Sequence, residues 1–165
     1  MNTIKTELGY FLPITSPKGL KELRWQQTPF SETPHEQDVN QNVSCETIEQ
    51  LEKYLSGELT HFSIEIDFSG WTAAMTRWFK TLTLIPYGQT TSYQGLAKQW
   101  GNIKAARAAG QACRKNPIPI IIPCHRVLKK NGTICRYSGG SKENPTAVNN
   151  LARKRWLLNL EIGSN

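Results

Sequence analysis

The stretch Asn116-Pro-Ile-Pro-Ile-Ile-Ile-Pro-Cys124-His-Arg-Val-Leu128 places a nucleophilic side chain at the end of an apolar run. Every residue from Ile118 to Ile122 is isoleucine or proline, and β-branched residues in such a run predict a short buried strand. The prolines fix φ and remove backbone donors, so this approach to Cys124 is predicted to be stiff and to lie outside a central strand. The stretch therefore predicts a thiol held at a defined position.

Cys124 is followed directly by His125 and Arg126. An imidazole can accept a thiol proton, and a guanidinium can lower the pKa of a thiol. In an extended segment neighbouring side chains point to opposite faces, so a direct hydrogen bond between Cys124 and His125 is not expected. A bridging water, or a bend in the chain, would have to carry the proton. From this pair alone, a buried structural cysteine with His125 capping a turn is the favoured interpretation.

The two halves of the chain carry opposite charge. Its 165 residues have a formal net charge of +7. Residues 1–68 contain 5 Lys and Arg against 11 Asp and Glu, whereas residues 69–165 contain 15 against 2. A half so poor in carboxylates is typical of a polyanion-binding surface, because Lys and Arg displace counterions from phosphates. A solvated basic face is the alternative.

Several classes of protein are disfavoured by the sequence. No apolar run reaches the roughly 18 residues of a membrane span, and the first residues do not resemble a signal peptide. The four cysteines form no C-x-x-C pair, so reduced thiols and a cytoplasmic (or, in a eukaryote, nuclear) location are expected. Neither a metal nor a cofactor is expected, because no Cys/His set is spaced for a tetrahedral site.

The acidic half, residues 1–68, predicts a small α/β domain. Short strands are predicted over residues 8–12 and 20–25, followed by a polar loop over residues 26–44. Ser44 is predicted to cap a helix that continues to about Ser56. Strict alternation over Thr60–Phe68 predicts a half-buried strand. We find no chemistry in this domain.

The basic half, residues 69–165, predicts a mostly helical domain with a helix-turn-helix. Ser92 is predicted to cap a helix over Tyr93–Trp100, and Asn102 a second helix from Ile103 to about Arg114. A turn at residues 129–132 and a strand at residues 133–137 predict a wing-like hairpin. The last predicted helix, Leu151–Leu160, carries Arg153-Lys-Arg155 on its polar side and ends at Glu161.

The second helix of the pair contains Ala105-Ala-Arg107-Ala-Ala-Gly110, one long cation among very small side chains. A helix that must press its backbone against a surface needs small residues there, and a single protruding arginine can act as a wedge. An alanine-rich core helix would not carry an arginine at its centre. A DNA-facing helix is therefore favoured.

Together these motifs resemble the O6-alkylguanine-DNA alkyltransferases, also called methylated-DNA–protein-cysteine methyltransferases. The resemblance covers residues 79–162 with specific motifs and the preceding α/β domain more loosely. It implies an RNase H-like α/β N-terminal domain followed by a mostly helical domain with a winged helix-turn-helix. The motifs that carry it are Ile85-Pro-Tyr-Gly-Gln-Thr-Thr-Ser-Tyr93, Ala105-Ala-Arg-Ala-Ala-Gly110, Asn116-Pro117, Ile122-Pro-Cys-His-Arg-Val127, Tyr137-Ser-Gly-Gly140, and Trp156-Leu-Leu with Glu161.

The family's chemistry implies a single-turnover repair reaction in which a flipped-out O6-alkylguanine, and also O4-alkylthymine, passes its alkyl group to Cys124. His125 would deprotonate Cys124 through a water, and Glu161 would orient His125. Tyr93 would rotate the nucleotide outward and donate to N3 of the leaving guanine, and Asn116 would tie the recognition helix to the active-site segment. The implied base pocket contains Tyr93, Cys124, Val127, Tyr137 and Ser138, with the backbone at Cys124 and Val127 accepting from the exocyclic amine and Ser138 donating to O6.

The partner implied by the resemblance is double-stranded DNA bound through its minor groove by a monomer. Arg107 would fill the gap that the extruded base leaves. The implied DNA-binding residues are Ser92, Tyr93, Ala105, Ala106, Arg107, Ala108, Gly110 and Arg114. A non-catalytic, alkyltransferase-like lesion-binding protein is the alternative, although such proteins replace the acceptor cysteine. Cys113, Arg136 and a longer segment between Gly140 and Trp156 depart from the family pattern, which leaves the shape of the pocket loop open.

Overall fold

The computed structural model describes residues 3–31, 40–139 and 148–163. The chain divides into two compact units, Met1–Gly70 and Trp71–Asn165. The first combines a small sheet with one helix, and the second is mostly helical, so the mixed α+β class predicted from the sequence is confirmed. No helix within the described ranges has the length and apolarity that a membrane crossing requires.

A three-stranded antiparallel sheet forms the first unit's framework, with β1 (Ile4–Thr6), β2 (Gly9–Ser16) and β3 (Gly19–Gln26) in sequence order. The structure adds β1 to the two strands that the sequence predicts. Gly19 opens β3 with φ +142°, and any side chain there would collide with the Glu65 carbonyl oxygen. The sheet packs its apolar residues against the helix α1 (Gln41–Leu55).

Helix α1 begins one turn earlier than predicted. Asn40 caps it, because the Asn40 side chain accepts a hydrogen bond from Val43 N at 3.2 Å, and Ser44 lies fully buried within the helix. Ser44 as the cap was therefore wrong, and the predicted polar loop over residues 26–44 gives way to helix at Gln41. The rest of that loop, residues 32–39, lies outside the described residues.

Residues 60–68 do not form the predicted strand. They pair with β3 only through a parallel bridge between Leu20 and Ile66, with hydrogen bonds from Leu20 N to Glu65 O and from Asp67 N to Leu20 O. The alternation of polar and apolar residues predicts that Asp67 faces solvent, but Asp67 is buried. Asp67 is tolerated there because Ser16 Oγ donates to it at 2.6 Å and Ser69 N at 2.8 Å.

These donors make the first unit sensitive to acid. The Ser16 hydroxyl, with the Ser69 donors, lowers the pKa of Asp67 from 3.8 to about 2. Asp67→Asn is expected to reduce the free energy of unfolding by about 1 kcal/mol at pH 7. A depressed pKa contributes stability above about pH 4 that is lost as the pH falls toward 2, so the deficit should shrink over that range. Urea unfolding at both ends of the range measures it. The exposed neighbour variant Glu65→Gln is the control, and an equal loss in that variant would contradict the assignment.

The second unit contains the predicted helix pair. Helix α2 (Ala73–Thr83) precedes strand β4 (Thr91–Ser92) and helix α3 (Tyr93–Trp100). Ser92 caps α3 and Gly101 ends it with φ +113°, as predicted. The predicted second helix is divided, because Asn102 caps a 3-10 turn at Ile103–Ala105 before the helix α4 (Ala106–Lys115) begins.

Residues 118–122 are buried as predicted, but they do not form a strand. Ile122 N donates to Ile118 O at 3.0 Å, and Ile120 has φ +75°, so the segment closes into a tight turn. Prolines on both sides remove the donors that a strand would need. Residues 133–137 likewise form no returning strand after the turn at Gly132, so the wing lacks its predicted second strand.

The last helix, α5 (Val148–Gly163), is longer than predicted and runs past Glu161. Its charged segment was also placed wrongly, because Arg153 and Lys154 are buried with 5% and 1% of their surface exposed. Residues 148–150, which precede the predicted start at Leu151, are helical, and residues 141–147 lie outside the described ranges.

Candidate active site

The thiol of Cys124 lies in a 3-10 turn, Cys124–Arg126, which leads into strand β5 (Val127–Leu128). Strand β5 pairs in parallel with β4, with Thr91 opposite Val127, and this brings the start of helix α3 beside the turn. The extended conformation assumed for Cys124 and His125 was therefore wrong. A bend, the other possibility that the sequence leaves open, is present.

Cys124 opens onto a cavity of about 710 Å³, a volume within the usual range for ligand pockets. The lining combines aromatic and apolar groups with cationic side chains at the rim. Cys124 itself is 4% exposed. The lining residues are Tyr93, Ala106, Arg107, Gly110, Gln111, Cys113, Arg114, Cys124, Lys129, Cys135, Arg136, Tyr137 and Ser138.

Asn116, at the end of α4, contacts the sulfur directly. Its Nδ2 atom donates to Cys124 Sγ at 3.1 Å and to Ile122 O at 2.7 Å, while its Oδ1 accepts from Ile118 N at 3.0 Å. The side chain thus ties the end of α4 to residues 118–124. Burial raises the pKa of the Cys124 thiol, and the Asn116 amide and the Lys154 ammonium act in the opposite direction.

A buried carboxylate lies on the other side of the turn. Glu161 Oε1 is 2.7 Å from His125 Nε2, and Glu161 Oε2 accepts from Gly88 N at 3.0 Å. A carboxylate only accepts, so in its neutral form His125 carries its proton on Nε2 and leaves the Nδ1 lone pair to bind a proton. Burial lowers the pKa of His125, and Glu161 opposes this shift. At neutral pH the imidazole is therefore poised as a base.

Arg126 does not take the role that the sequence suggests. Its guanidinium donates to Glu161 through Nε at 3.1 and 3.0 Å and through Nη2 at 2.9 Å, and to Ile85 O through Nη1 at 2.6 Å. The charge of Arg126 is thereby matched by Glu161 and does not stabilise a Cys124 thiolate.

Lys154 is the site cation that the sequence interpretation missed. Its Nζ donates to Val127 O at 2.6 Å and to Arg136 O at 3.0 Å, and burial lowers its pKa. The signal was the helical phase, because Lys154 shares one stripe of α5 with Leu157, Leu158 and Glu161. The carbonyl of Val127, which the resemblance assigns to an exocyclic amine, already accepts from Lys154, and Val127 itself is fully buried behind the cavity wall.

Tyr93, the first residue of α3, lines the same cavity as Cys124. Its hydroxyl lies 3.9 Å from Cys135 Sγ, and its ring lies against Gly110. Burial raises the pKa of Tyr93, so the hydroxyl stays protonated and can act as a donor. Tyr137 and Ser138 form the adjacent wall, and a side chain at Gly139 would overlap the Tyr137 ring.

The residues predicted to bind DNA lie on or beside helix α4. Arg107, Ala108 and Arg114 are exposed, and Ala105, Ala106 and Gly110 are half-buried. Ser92 uses its hydroxyl to cap α3 by accepting from Gly95 N at 2.9 Å. No group of His, Cys, Asp or Glu side chains able to hold a metal ion occurs among the residues described.

Comparison with known proteins identifies the family of this chain. A family model described as the DNA-binding domain of 6-O-methylguanine DNA methyltransferase matches residues 74–162, and one described as its ribonuclease-like domain matches residues 1–68. The chain belongs to the 6-O-methylguanine DNA methyltransferase family. Two predictions are thus confirmed: the family that the motifs resemble, and the RNase H-like N-terminal domain that this resemblance implies.

The share of each chain that is matched differs between individual relatives. A methylated-DNA–protein-cysteine methyltransferase of Mycobacterium leprae is 46% identical over 71% of this chain, and the match spans 64% of that relative. One from Mycolicibacterium paratuberculosis is 43% identical over 96% of this chain and 90% of its own.

Solved structures of the Mycobacterium tuberculosis O6-methylguanine methyltransferase have the same fold. One has a TM-score of 0.79 and 34% identity, covering 99% of this chain and 92% of its own. A second, in complex with DNA, has a TM-score of 0.80 and 35% identity, covering 98% and 92%.

The Glu161 contacts predict a large loss of stability in Glu161→Gln. This variant leaves the buried guanidinium of Arg126 without its counter-charge, and the free energy of unfolding is expected to fall by about 3–5 kcal/mol. Adding Arg126→Met to the same chain should recover part of the loss, because the two side chains act as a pair. Urea unfolding of the single and double variants measures both effects, and strictly additive losses would argue against the pair.

Proposed function

We propose that this protein is a DNA repair methyltransferase that removes the alkyl group from O6-alkylguanine in double-stranded DNA and keeps it on Cys124. The sulfur attacks the alkyl carbon, an S–C bond forms as the C–O6 bond breaks, and the guanine leaves restored. The thioether formed is stable, so each molecule acts once. O4-alkylthymine offers the same kind of carbon–oxygen bond and is proposed as a second substrate.

One observation carries the proposal: the Cys124 sulfur lies at a cavity of about 710 Å³, and the exposed Arg107, on a helix of small residues, lines the same cavity. The cavity has room for an extruded base, as enzymes that act on a base within a duplex require. The family and the DNA complex of the mycobacterial relative support DNA as the partner.

We assign roles to the surrounding residues as part of the same proposal. His125, oriented by Glu161, takes the thiol proton through a water, and Tyr93 donates to N3 of the departing guanine. Protonation makes the purine a better leaving group. Ser138 donates to O6 of the bound base. These steps use only the chain's own side chains and water.

DNA binding is proposed to occur through the minor groove, by a monomer. The small side chains of α4 allow close approach of the backbone, and the minor groove carries little sequence information, which suits a protein that searches for lesions. Arg107 then occupies the stack where the base was. A non-catalytic lesion-binding protein is the competing function, and the acceptor thiol at the cavity argues against it.

Mass spectrometry after incubation with duplex DNA containing O6-methylguanine tests the reaction. The intact protein should gain one methyl group, mapped to the peptide that contains Cys124, and excess DNA should give no second equivalent. Cys124→Ala should bind the same DNA and gain nothing, while Cys113→Ser and Cys135→Ser should still be methylated. DNA bound without any gain of mass would favour the non-catalytic alternative.

Arg107→Ala tests the proposed wedge. Extruding a base costs a few kcal/mol, so loss of the wedge is expected to slow repair of duplex DNA by roughly tenfold or more. Repair of the free base O6-methylguanine should change little. Arg155→Ala removes an exposed cation elsewhere in the same unit and is the matched control. Equal slowing on duplex and free base would refute the wedge.

A further inference from the structure

The end of helix α3 is held by a side chain from α2. The last carbonyls of any helix have no partner within it, and α3 ends at Trp100. Arg77 supplies the partner, because its Nη2 donates to Trp100 O at 2.6 Å. A cation is also favourable at this position, since the helix dipole is negative at its C-terminal end. Arg77 thus links the end of α3 to α2.

The aromatic ring of Trp100 is held by α2 as well. The Arg77 guanidinium lies over this ring, with Cζ 4.5 Å from the ring centroid. The buried Trp78 stacks on the same ring, with the two centroids 4.6 Å apart and the planes 8° from parallel. A planar guanidinium is attracted to the electron-rich face of tryptophan. Two consecutive residues of α2 therefore fix one side chain of α3.

The hold of Arg77 extends to Gly101, the first residue of the turn after α3. Gly101 has φ +113°, a conformation that favours glycine. A Cβ atom at Gly101 would lie 3.2 Å from Arg77 Nη2, so the guanidinium lies close to the open side of the glycine. Gly101 N and Asn102 N both donate back to Ala97 O, at 3.2 and 2.9 Å. The turn therefore starts from a fixed point.

That turn decides where helix α4 begins. Asn102 accepts from Lys104 N through its side chain at 3.0 Å and from Ala105 N through its carbonyl at 2.9 Å. The side chain of Ala105 gives α4 no cap, so the first turn of α4 depends on the preceding residues for its direction. Arg107, the proposed wedge, is the second residue of α4.

Arg77 is an exposed cation whose contacts are a carbonyl and a ring. No carboxylate in the parts of the chain that the structure describes forms an ion pair with it. Such a cation could hold the turn or bind a DNA phosphate. The short hydrogen bond and the stacked ring favour the hold, because they fix the guanidinium in one orientation before any DNA is present.

We propose that Arg77 is a positioning residue for DNA binding, which fixes the turn between α3 and α4 so that α4 and Arg107 are aligned in the free protein. Prior ordering of a binding element removes the cost of ordering it when the partner arrives. Arg77 does not line the cavity at Cys124, so the chemistry of the thiol is separate from this role. The inference rests on the proposed function only in taking α4 as the helix that faces DNA.

Binding of an unmodified DNA duplex tests the proposal, with fluorescence anisotropy measured from about 50 to 200 mM salt. Arg77→Met should weaken binding roughly tenfold, because the turn must then be ordered on binding. The slope of log affinity against log salt should not change, because no phosphate contact is lost. Arg77→Lys keeps the charge but not the planar stack, and should bind nearly as weakly as Arg77→Met.

Lys98→Met is the matched control, because it removes an exposed cation from the last turn of α3. It should bind the duplex more tightly than Arg77→Met does. Unchanged affinity in Arg77→Met, or an equal loss in Lys98→Met, would overturn the proposal. Full affinity in Arg77→Lys, together with a salt slope smaller by about 0.9 in Arg77→Met, would replace it with a direct phosphate contact.

Hydrogen exchange measures the order of the turn itself. In Arg77→Met the amides of residues 101–107 should exchange faster, while those of α5 should exchange as in the unaltered protein. Trp100→Leu removes the ring and should loosen the same residues, and adding Arg77→Met to it should weaken DNA binding little further. Unchanged exchange over residues 101–107 in Arg77→Met, or fully additive losses of affinity, would contradict the proposed hold.

Alkylation of Cys124 by iodoacetamide shows whether the site remains intact without using DNA. Arg77→Met should react at the rate of the unaltered protein, and a loss of reactivity equal to the loss of DNA affinity would overturn the proposal in favour of general unfolding. Absence of methyl transfer, together with Arg77-dependent DNA binding, would refute the repair function and leave the positioning role. Methyl transfer with DNA binding that ignores Arg77 would do the reverse.

Discussion

The buried carboxylate of Glu161 is the constraint on which the second unit's site depends. It joins the loop at Ile85–Gly88, the turn at His125 and Arg126, and helix α5, which are far apart in the sequence. A buried ion pair is favourable only when its hydrogen bonds are satisfied. Here both oxygens accept several donors, so the pair fixes the turn that presents Cys124.

The buried charged residues near the turn form two separate sets. Glu161, Arg126 and His125 form a cluster that is neutral by itself and holds the backbone in place. Lys154, on the same buried stripe of α5, donates to the carbonyls of Val127 and Arg136. Helix α5 thus supplies both the carboxylate that anchors the turn and the cation that holds the carbonyls of Val127 and Arg136, and this explains why two charged residues lie on its buried stripe.

Local signals in the sequence were read correctly at helix α3, although the same kind of signal placed the cap of α1 at Ser44 instead of Asn40. Helix α3 has its cap at Ser92 and its stop at Gly101, because both depend on hydrogen bonds and φ values within a few residues. The same reasoning failed for residues 118–122 and 133–137. At residues 118–122 the neighbouring prolines remove the donors that a strand needs, and β-branched residues alone do not distinguish a strand from a turn.

The sequence by itself determined the family, the mixed α+β class and the charge division, and it named Tyr93, Asn116, Tyr137 and Ser138 as residues of the site around Cys124. It could not determine which cation affects the pKa of the Cys124 thiol. Adjacency in the sequence pointed to Arg126, whereas the fold turns Arg126 toward Glu161, and Lys154, 30 residues from Cys124, is the cation that acts to lower the pKa of the thiol. The reason is physical: buried charges must be paired, and only the packed helix α5 decides which groups lie close enough to pair.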